Sequence, residues 1–504
     1  MEIKNKSVRK LLDKYKEIST LGKISAVLGW DLNVNLPPKG VEERANQSAY
    51  LAKLTVEKWM EPGFKNELET VTKKLKNLNT EELAIVRNLN QGARFYHKVP
   101  KEIIVEFEET SSKAYAAWAE ARKNDKFKDF EPHLKKLVRL NQIIAEYYGF
   151  EKNPYDALLD LYEPGLTAEK VSKVFATLIP ELTKLIKLIK GSKNYRERSD
   201  LVDAEVTYPA DDQKQICMYV IKKMGYDMEA GHMGISPHPF TSELGRFDVR
   251  ITNRYKPNDF RDSVAIAMHE TGHALYEQGV KEEYAGTPLG GGVSLGIHES
   301  QSRFWENQVG RSFEFIKFLT PVFHAFYPEQ LGKIDAEEIF SLFNMVHPSL
   351  IRTEADEVTY NLHIALRFEL EEALINGKIK VENLPEIWRL KMKKYLGIMP
   401  KTNREGVLQD VHWSQGPMGY FPTYTLGNLY GAQFVNKMMK DLDLSESISK
   451  GELGIALSWL RENIHQYGSL YWPNELIKKV TGEELNPKYF LGYLKDKFAR
   501  IYAL

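Results

Sequence analysis

Apolar residues recur at three- and four-residue spacing through most of this 504-residue chain. That is the period of a helix with one buried face. Residues 7–30, 68–91, 103–121, 130–148, 171–188, 362–375 and 384–395 all carry it, which predicts a predominantly helical, all-α fold. Strand signals are few. Residues 204–208 are one candidate, and residues 246–252 alternate in character and are rich in β-branched side chains. A small β-sheet is therefore expected shortly before residue 263. Pro37-Pro38-Lys39-Gly40 and residues 189–192 read as breaks, and the charged stretch 122–128 reads as a solvated turn. With no internal repeat and no clear linker, residues 1–504 are expected to form a single unit, with room for two helical lobes around a deep cleft.

Composition narrows the functional classes. Lys plus Arg equals Asp plus Glu at 69 each, which argues against a dedicated nucleic-acid surface. No uninterrupted apolar run reaches the length of a membrane span. The charged start Met1-Glu2-Ile3-Lys4-Asn5-Lys6 lacks the apolar core of a signal peptide, and Cys217 is alone, so no intrachain disulfide forms. These features predict a cytoplasmic protein.

Chemistry concentrates at His269-Glu270-Thr271-Gly272-His273. Two imidazoles four residues apart share one helix face, where both can hold a single metal ion. Glu270 lies between them and can take a proton from an attacking water. The pattern is the H-E-x-x-H signature of zinc peptidases. Chance alone produces it in roughly one such chain in forty, so context decides. Ser263-Val264-Ala265-Ile266-Ala267-Met268 before the motif and Ala274-Leu275-Tyr276 after it suit a largely buried helix. Ser263 is the expected N-cap and Gly279 the expected stop.

Hydrolytic zinc sites generally use three protein ligands and leave one position open. A third histidine after the motif is excluded, because the required Gly and His positions hold Tyr276 and Gly279. A glutamate from a following helix is the alternative. Glu299, in Gly296-Ile297-His298-Glu299-Ser300-Gln301-Ser302, leads, with Glu306 and Glu277 as rivals. The glycine-rich connection 286–296 returns the chain toward the motif. Its Gly290-Gly291-Gly292 run lacks the lysine of a phosphate loop and reads as a tight, mobile connection.

Six motifs in order then resemble the carboxypeptidase Taq family of metallocarboxypeptidases. They are His238-Pro239-Phe240, Asp248-x-Arg250-x-Thr252, His269-Glu270-x-x-His273, His298-Glu299-Ser300-Gln301, Ile351-Arg352-x-x-Ala355-Asp356 and Gly406-x-x-Gln409-Asp410-x-His412-Trp413. The resemblance runs over nearly the whole chain and is densest from 238 to 424. It implies a helical fold with a deep groove, similar to neurolysin and angiotensin-converting enzyme, with the small sheet near the active site. It also implies removal of single C-terminal amino acids from peptides with broad side-chain tolerance, one divalent metal per chain (zinc, or cobalt), and a homodimer.

Roles follow from that resemblance. His269, His273 and Glu299 are the expected metal ligands, and Glu270 the general base. His412 and Tyr420 are the expected oxyanion donors, with Tyr424 a third candidate that also belongs to the substrate pocket. Their alternative is an aromatic-rich core loop. Arg352 is placed against the substrate carboxylate, since a guanidinium binds a carboxylate in a planar, charged fork. Its alternative is a helical pair with Asp356. Arg250 is the competing carboxylate receptor unless Asp248 or Glu243 holds it. His238 is expected near the substrate pocket. His298 is a candidate outer partner of the metal ligands, and Asp356 or Glu306 a candidate support for a ligand imidazole.

Overall fold

The computed structural model describes residues 1–202 and 205–504. The chain divides into two compact units. The first comprises Met1–Ala93, Arg198–Phe343 and Tyr430–Leu485, and the second Arg94–Glu197, Asn344–Leu429 and Asn486–Leu504.

Helices dominate both units, as the periodicity predicts. The predicted segments 7–30, 103–121, 130–148, 171–188, 362–375 and 384–395 fall within Lys6–Val34, Lys101–Asn124, Phe127–Tyr148, Ala168–Gly191, Tyr360–Ile375 and Leu384–Leu396. The turn expected at 122–128 contains Asp125 in the left-handed conformation. No helix among the described residues is long and apolar enough to cross a membrane.

Three expectations need correction. Residues 68–91 are not one helix but parts of two, Pro62–Thr72 and Thr80–Lys98. The second starts on a reciprocal cap: Glu82 N–H donates to Asn79 Oδ1 (2.9 Å), and Asn79 N–H donates to Glu82 Oε2 (3.0 Å). Ser263 is not an N-cap. The helix begins a turn earlier, at Phe260, with Asp259 accepting from Arg261 N–H, and Ser263 is buried within it. Of the candidate strand 204–208, Ala204 lies outside the described residues and Glu205–Tyr208 form no strand. Tyr208 is instead spent on packing, its ring 4.8 Å from both Phe260 and Tyr327.

In the first unit, one small sheet precedes the HETGH helix. Its strands β1 (Met233–Ile235), β2 (Thr241–Gly245) and β3 (Asp248–Asn253) lie in the order β1-β3-β2. β1 runs parallel to β3, and β2 antiparallel with an irregularity at Glu243/Gly245. Val249 and Ile251 of β3 are fully buried. Thr241 pairs directly with Ile251, so it shares that buried face. Thr252 ties down the preceding turn: its Oγ1 accepts from Phe240 N–H at 2.8 Å and lies 2.8 Å from Ser236 Oγ.

The helix Phe260–Gly279 is apolar on most sides and therefore buried. It ends at Gly279, as expected. The following helix Leu295–Arg303 lies so close that a Cβ on Gly272 would come within 2.6 Å of Ser302 Cα and 2.7 Å of Gln301 O. The glycine inside the HETGH motif is thus what lets the two helices meet. The Gly290–Gly292 run also serves close approach: a Cβ on Gly292 would meet His298 Cδ2 at 2.6 Å. After Arg303 the helix widens into a π turn over Phe304–Val309, with Gly310 N–H donating to Trp305 O (2.8 Å).

In the second unit, helix Tyr360–Ile375 is buried on nearly every side. It carries Asn361, His363, Arg367 and Glu371 into that interior; Arg367 and Glu371 are hydrogen-bonded there, whereas neither ring nitrogen of His363 has a hydrogen-bond partner among the described residues.

Gly272→Ala is expected to cost about 1–3 kcal/mol by overpacking against Ser302. Gly22→Ala, in a helix where a Cβ meets nothing within 4 Å, is expected to be neutral or to stabilise by roughly 0.5–1 kcal/mol. Urea unfolding of the two variants checks both signs.

Candidate metal centre

One face of the HETGH helix turns His269 and His273 toward Glu299 of the next helix. Nε2 of His269 lies 3.8 Å, and Nε2 of His273 3.5 Å, from Glu299 Oε2. One potential ligand atom from each of the three residues lies within 4.8 Å of the others. Two imidazoles and a carboxylate at that spacing suit a borderline divalent cation.

Charge around the cluster is arranged to keep the carboxylates ionised. Burial alone raises the pKa of Glu299 and Glu306. Arg303 reverses this. Its Nε lies 2.7 Å from Glu299 Oε1 and its Nη1 2.9 Å from Glu306 Oε2. Arg311 adds a contact to Glu306 Oε1 at 2.9 Å. Both carboxyls end well below the usual range.

Glu306, considered as a rival ligand, contacts the ligand candidate His269 instead of joining the three-residue cluster. Its Oε2 lies 2.9 Å from Nδ1 of His269, so it accepts there and turns Nε2 inward. Glu277, the other rival, reaches Nε2 of His298 at 2.8 Å, while Nδ1 of His298 lies 2.6 Å from Nδ1 of His273. His298 thus touches both the ligand candidate His273 and Glu277. The Asp356 carboxylate accepts from His347 N–H, from Val358 N–H and from both Thr359 N–H and Oγ1–H.

Glu270 is nearly buried and belongs to the same helix. Burial pushes its carboxyl up, against the opposing influence of His269 and Thr241. Thr241 Oγ1 donates to Glu270 Oε2 at 2.6 Å. Thr241 was not singled out from sequence, although its position directly after His238-Pro239-Phe240 was the available signal. Arg303 was missed as well; the spacing Glu299-x-x-x-Arg303-x-x-Glu306 was readable as helical pairing.

Two sequence candidates in this unit are not drawn into the cluster. Arg250 is clasped by Asp248 through two contacts of 2.7 Å, the restraint weighed for it above, while Glu243 pairs with Lys23. His238 is exposed, and its carbonyl accepts from Ser236 Oγ–H.

In the second unit, Arg352 pairs with Asp410 and lies over the Tyr424 ring, which also neighbours His412 and Tyr420. Arg352 does not pair with Asp356. It starts a 3₁₀ turn, Arg352–Glu354, and its Nε donates to Asp410 Oδ1 (2.9 Å) and its Nη1 to Tyr360 Oη (3.1 Å). Arg367, fully buried, takes Asp410 Oδ2 at 2.7 Å and Gln409 Oε1 at 2.8 Å. His412 Nε2 is 3.3 Å from Tyr424 Oη, and Tyr420 lies with its ring 5.4 Å from that of His412. Glu371 anchors this loop by accepting from Trp413 Nε1–H (2.7 Å) and Gly419 N–H (3.0 Å). Arg367 and Glu371 carried no sequence signal beyond helical periodicity.

A sequence model of the carboxypeptidase Taq (M32) metallopeptidase family matches residues 10–498. Thermostable carboxypeptidase 1 of Pyrococcus furiosus is 44% identical over 497 residues, spanning 98% of this chain and 99% of that protein. Its namesake from Thermus thermophilus is 41% identical over 505 residues, spanning 98% of each. A solved structure of Pyrococcus furiosus carboxypeptidase, described as apo-Mg, superposes with a TM-score of 0.95 at 43% identity, over 98% of this chain and 99% of that one. A helical frame of this kind, with relatives that are carboxypeptidases, defines a metal-dependent hydrolase of peptide bonds. The chain belongs to the carboxypeptidase Taq family of metallopeptidases.

Burial, reinforced by Arg352 and Arg367, pushes the His412 imidazole down to about 4, despite Asp410. A depressed folded-state pKa favours folding fully only above the ordinary value and is lost as pH falls through the folded value. Stability is expected to decline between about pH 6.5 and about pH 4 partly through His412. His412→Gln should flatten that decline in urea unfolding measured at pH 7, 5 and 4.

Proposed function

We propose that this chain removes single amino acids from peptide C-termini, with broad side-chain tolerance, using one zinc ion held by His269, His273 and Glu299. Cobalt is the alternative metal, since imidazole and carboxylate suit both. The observation that carries the reading is the convergence of those three side chains with Glu270 on the same helix, in a chain of a carboxypeptidase family. A divalent metal held there lowers the pKa of water and polarises the scissile carbonyl.

The protein's own groups do the rest. Glu270, oriented by Thr241, accepts the proton of the attacking water and passes it to the leaving amine. His412, Tyr420 and Tyr424 are assigned as donors to the developing oxyanion. Arg352 is assigned to the substrate's terminal carboxylate. Asp410 and Tyr360 already fix two edges of its guanidinium, and a fixed fork loses little freedom on binding. His238 and Arg250 are assigned to substrate binding, Arg250 as the competing carboxylate receptor. A homodimer, on the strength of the family resemblance, and a cytoplasmic location, on the strength of the lone Cys217, complete the reading.

Glu270→Gln is expected to keep its metal, read by elemental analysis, and to lose roughly 10²–10⁴-fold in turnover. Normal turnover would remove Glu270 from the role. Arg352→Ala is expected to lower kcat/KM about 10–100-fold on free-acid peptides, the worth of a charge-assisted hydrogen bond, and far less on amidated ones. Equal loss on both would refute the carboxylate assignment. Release of internal fragments from a C-terminally blocked peptide would point to an oligopeptidase instead.

A further inference from the structure

An imidazole ligates a metal only through a ring nitrogen that carries no proton. Something must therefore hold the proton of each ligand histidine on its outer nitrogen. At His269 the device is direct. Glu306 Oε2 sits 2.9 Å from Nδ1, and a carboxylate held ionised by Arg303 and Arg311 can only accept. The proton stays on Nδ1, and Nε2 is bare.

At His273 the corresponding neighbour is another imidazole. Nδ1 of His273 and Nδ1 of His298 are 2.6 Å apart, so one of them donates and the other accepts. The far side of His298 decides which. Its Nε2 lies 2.8 Å from Glu277 Oε1, and that carboxylate oxygen also faces Gly292 N–H at 3.3 Å. An acceptor there claims the proton of His298 for Nε2 and leaves its Nδ1 bare. His273 must then donate from Nδ1, which bares its Nε2 toward Glu299. The reverse direction would put a proton on Nε2 and block that position. Packing holds the ring in place: the Tyr276 ring lies 5.2 Å from it, and Gly292 leaves no space for even a methyl group.

We propose that Glu277 and His298 form a two-member positioning relay that sets the direction of the hydrogen bond to His273 and so fixes it as a metal ligand through Nε2. The inference rests on the metal centre proposed above. Neither residue is assigned any contact with substrate.

The test compares His298→Leu with His298→Gln in the full-length protein. A glutamine can accept from His273 through Oε1 and donate to Glu277 through Nε2, which preserves the direction; a leucine can do neither. Zinc affinity is read by chelator competition. His298→Leu should lose roughly 10–100-fold, as supports behind a ligand histidine do, while His298→Gln stays within a few-fold of the parent. A ring that only fills space predicts equal losses in the two variants, and that result overturns the relay. So does parent-like zinc affinity in His298→Leu. Nitrogen-15 chemical shifts of His273 in the parent protein without zinc need no variant to fold: the proton should sit on Nδ1, and a predominant Nε2–H form refutes the proposal. His273→Ala separates the two levels. If it binds zinc like the parent, the metal centre itself is wrong; if it does not and His298→Leu does, only the relay fails.

Discussion

The contact on which the candidate metal centre depends is the bridge that Arg303 makes between Glu299 and Glu306. Two carboxylates buried beside two imidazoles would otherwise take up protons, since burial disfavours their charged forms. One guanidinium, with Arg311 behind it, holds both as anions. Glu299 can then offer an oxygen to a cation, and Glu306 can hold the proton of His269 on the outer side. The two carboxylates are nearly enclosed, so this is a strong constraint rather than a surface ornament: removing the guanidinium would leave an uncompensated buried charge.

A parallel logic governs the second unit. Helix Tyr360–Ile375 passes through its interior and brings Arg367 and Glu371 with it. Asp410 answers both Arg367 and Arg352, and Glu371 gathers Tyr155, Trp413 and Gly419. The loop bearing His412 and Tyr420 is thereby tethered at Asp410, Trp413 and Gly419. It has little regular secondary structure of its own, so buried ion pairs and hydrogen bonds supply the order that a helix ladder would.

Much of this was legible in the residues. The HETGH pair fixed a helix face, Gly279 its end, and the spacing to Glu299 a plausible return, because helical geometry converts sequence distance into direction. Legibility stopped where partners come from separate elements. Glu277 and His298 are 21 residues apart, and Arg352 and Asp410 are 58 apart; periodicity holds no distance for either pair. Asp356, the near neighbour that spacing offered to Arg352, was taken by backbone amides at the start of the next helix. The break between Pro62–Thr72 and Thr80–Lys98 was different. The reciprocal Asn79–Glu82 cap was written in the chain, but continuous apolar spacing on both sides masked it.

The π turn at Phe304–Val309 adds one residue to a coil that would otherwise keep 3.6 residues per revolution. Each residue of an ordinary helix advances about 100° around the axis. Deleting one position between Arg303 and Glu306 would swing that acid by about a quarter turn, away from His269, while sparing Glu299 upstream. The inner and outer halves of the centre are thus phased separately along a single rod, and the phasing hangs on one supernumerary amino acid.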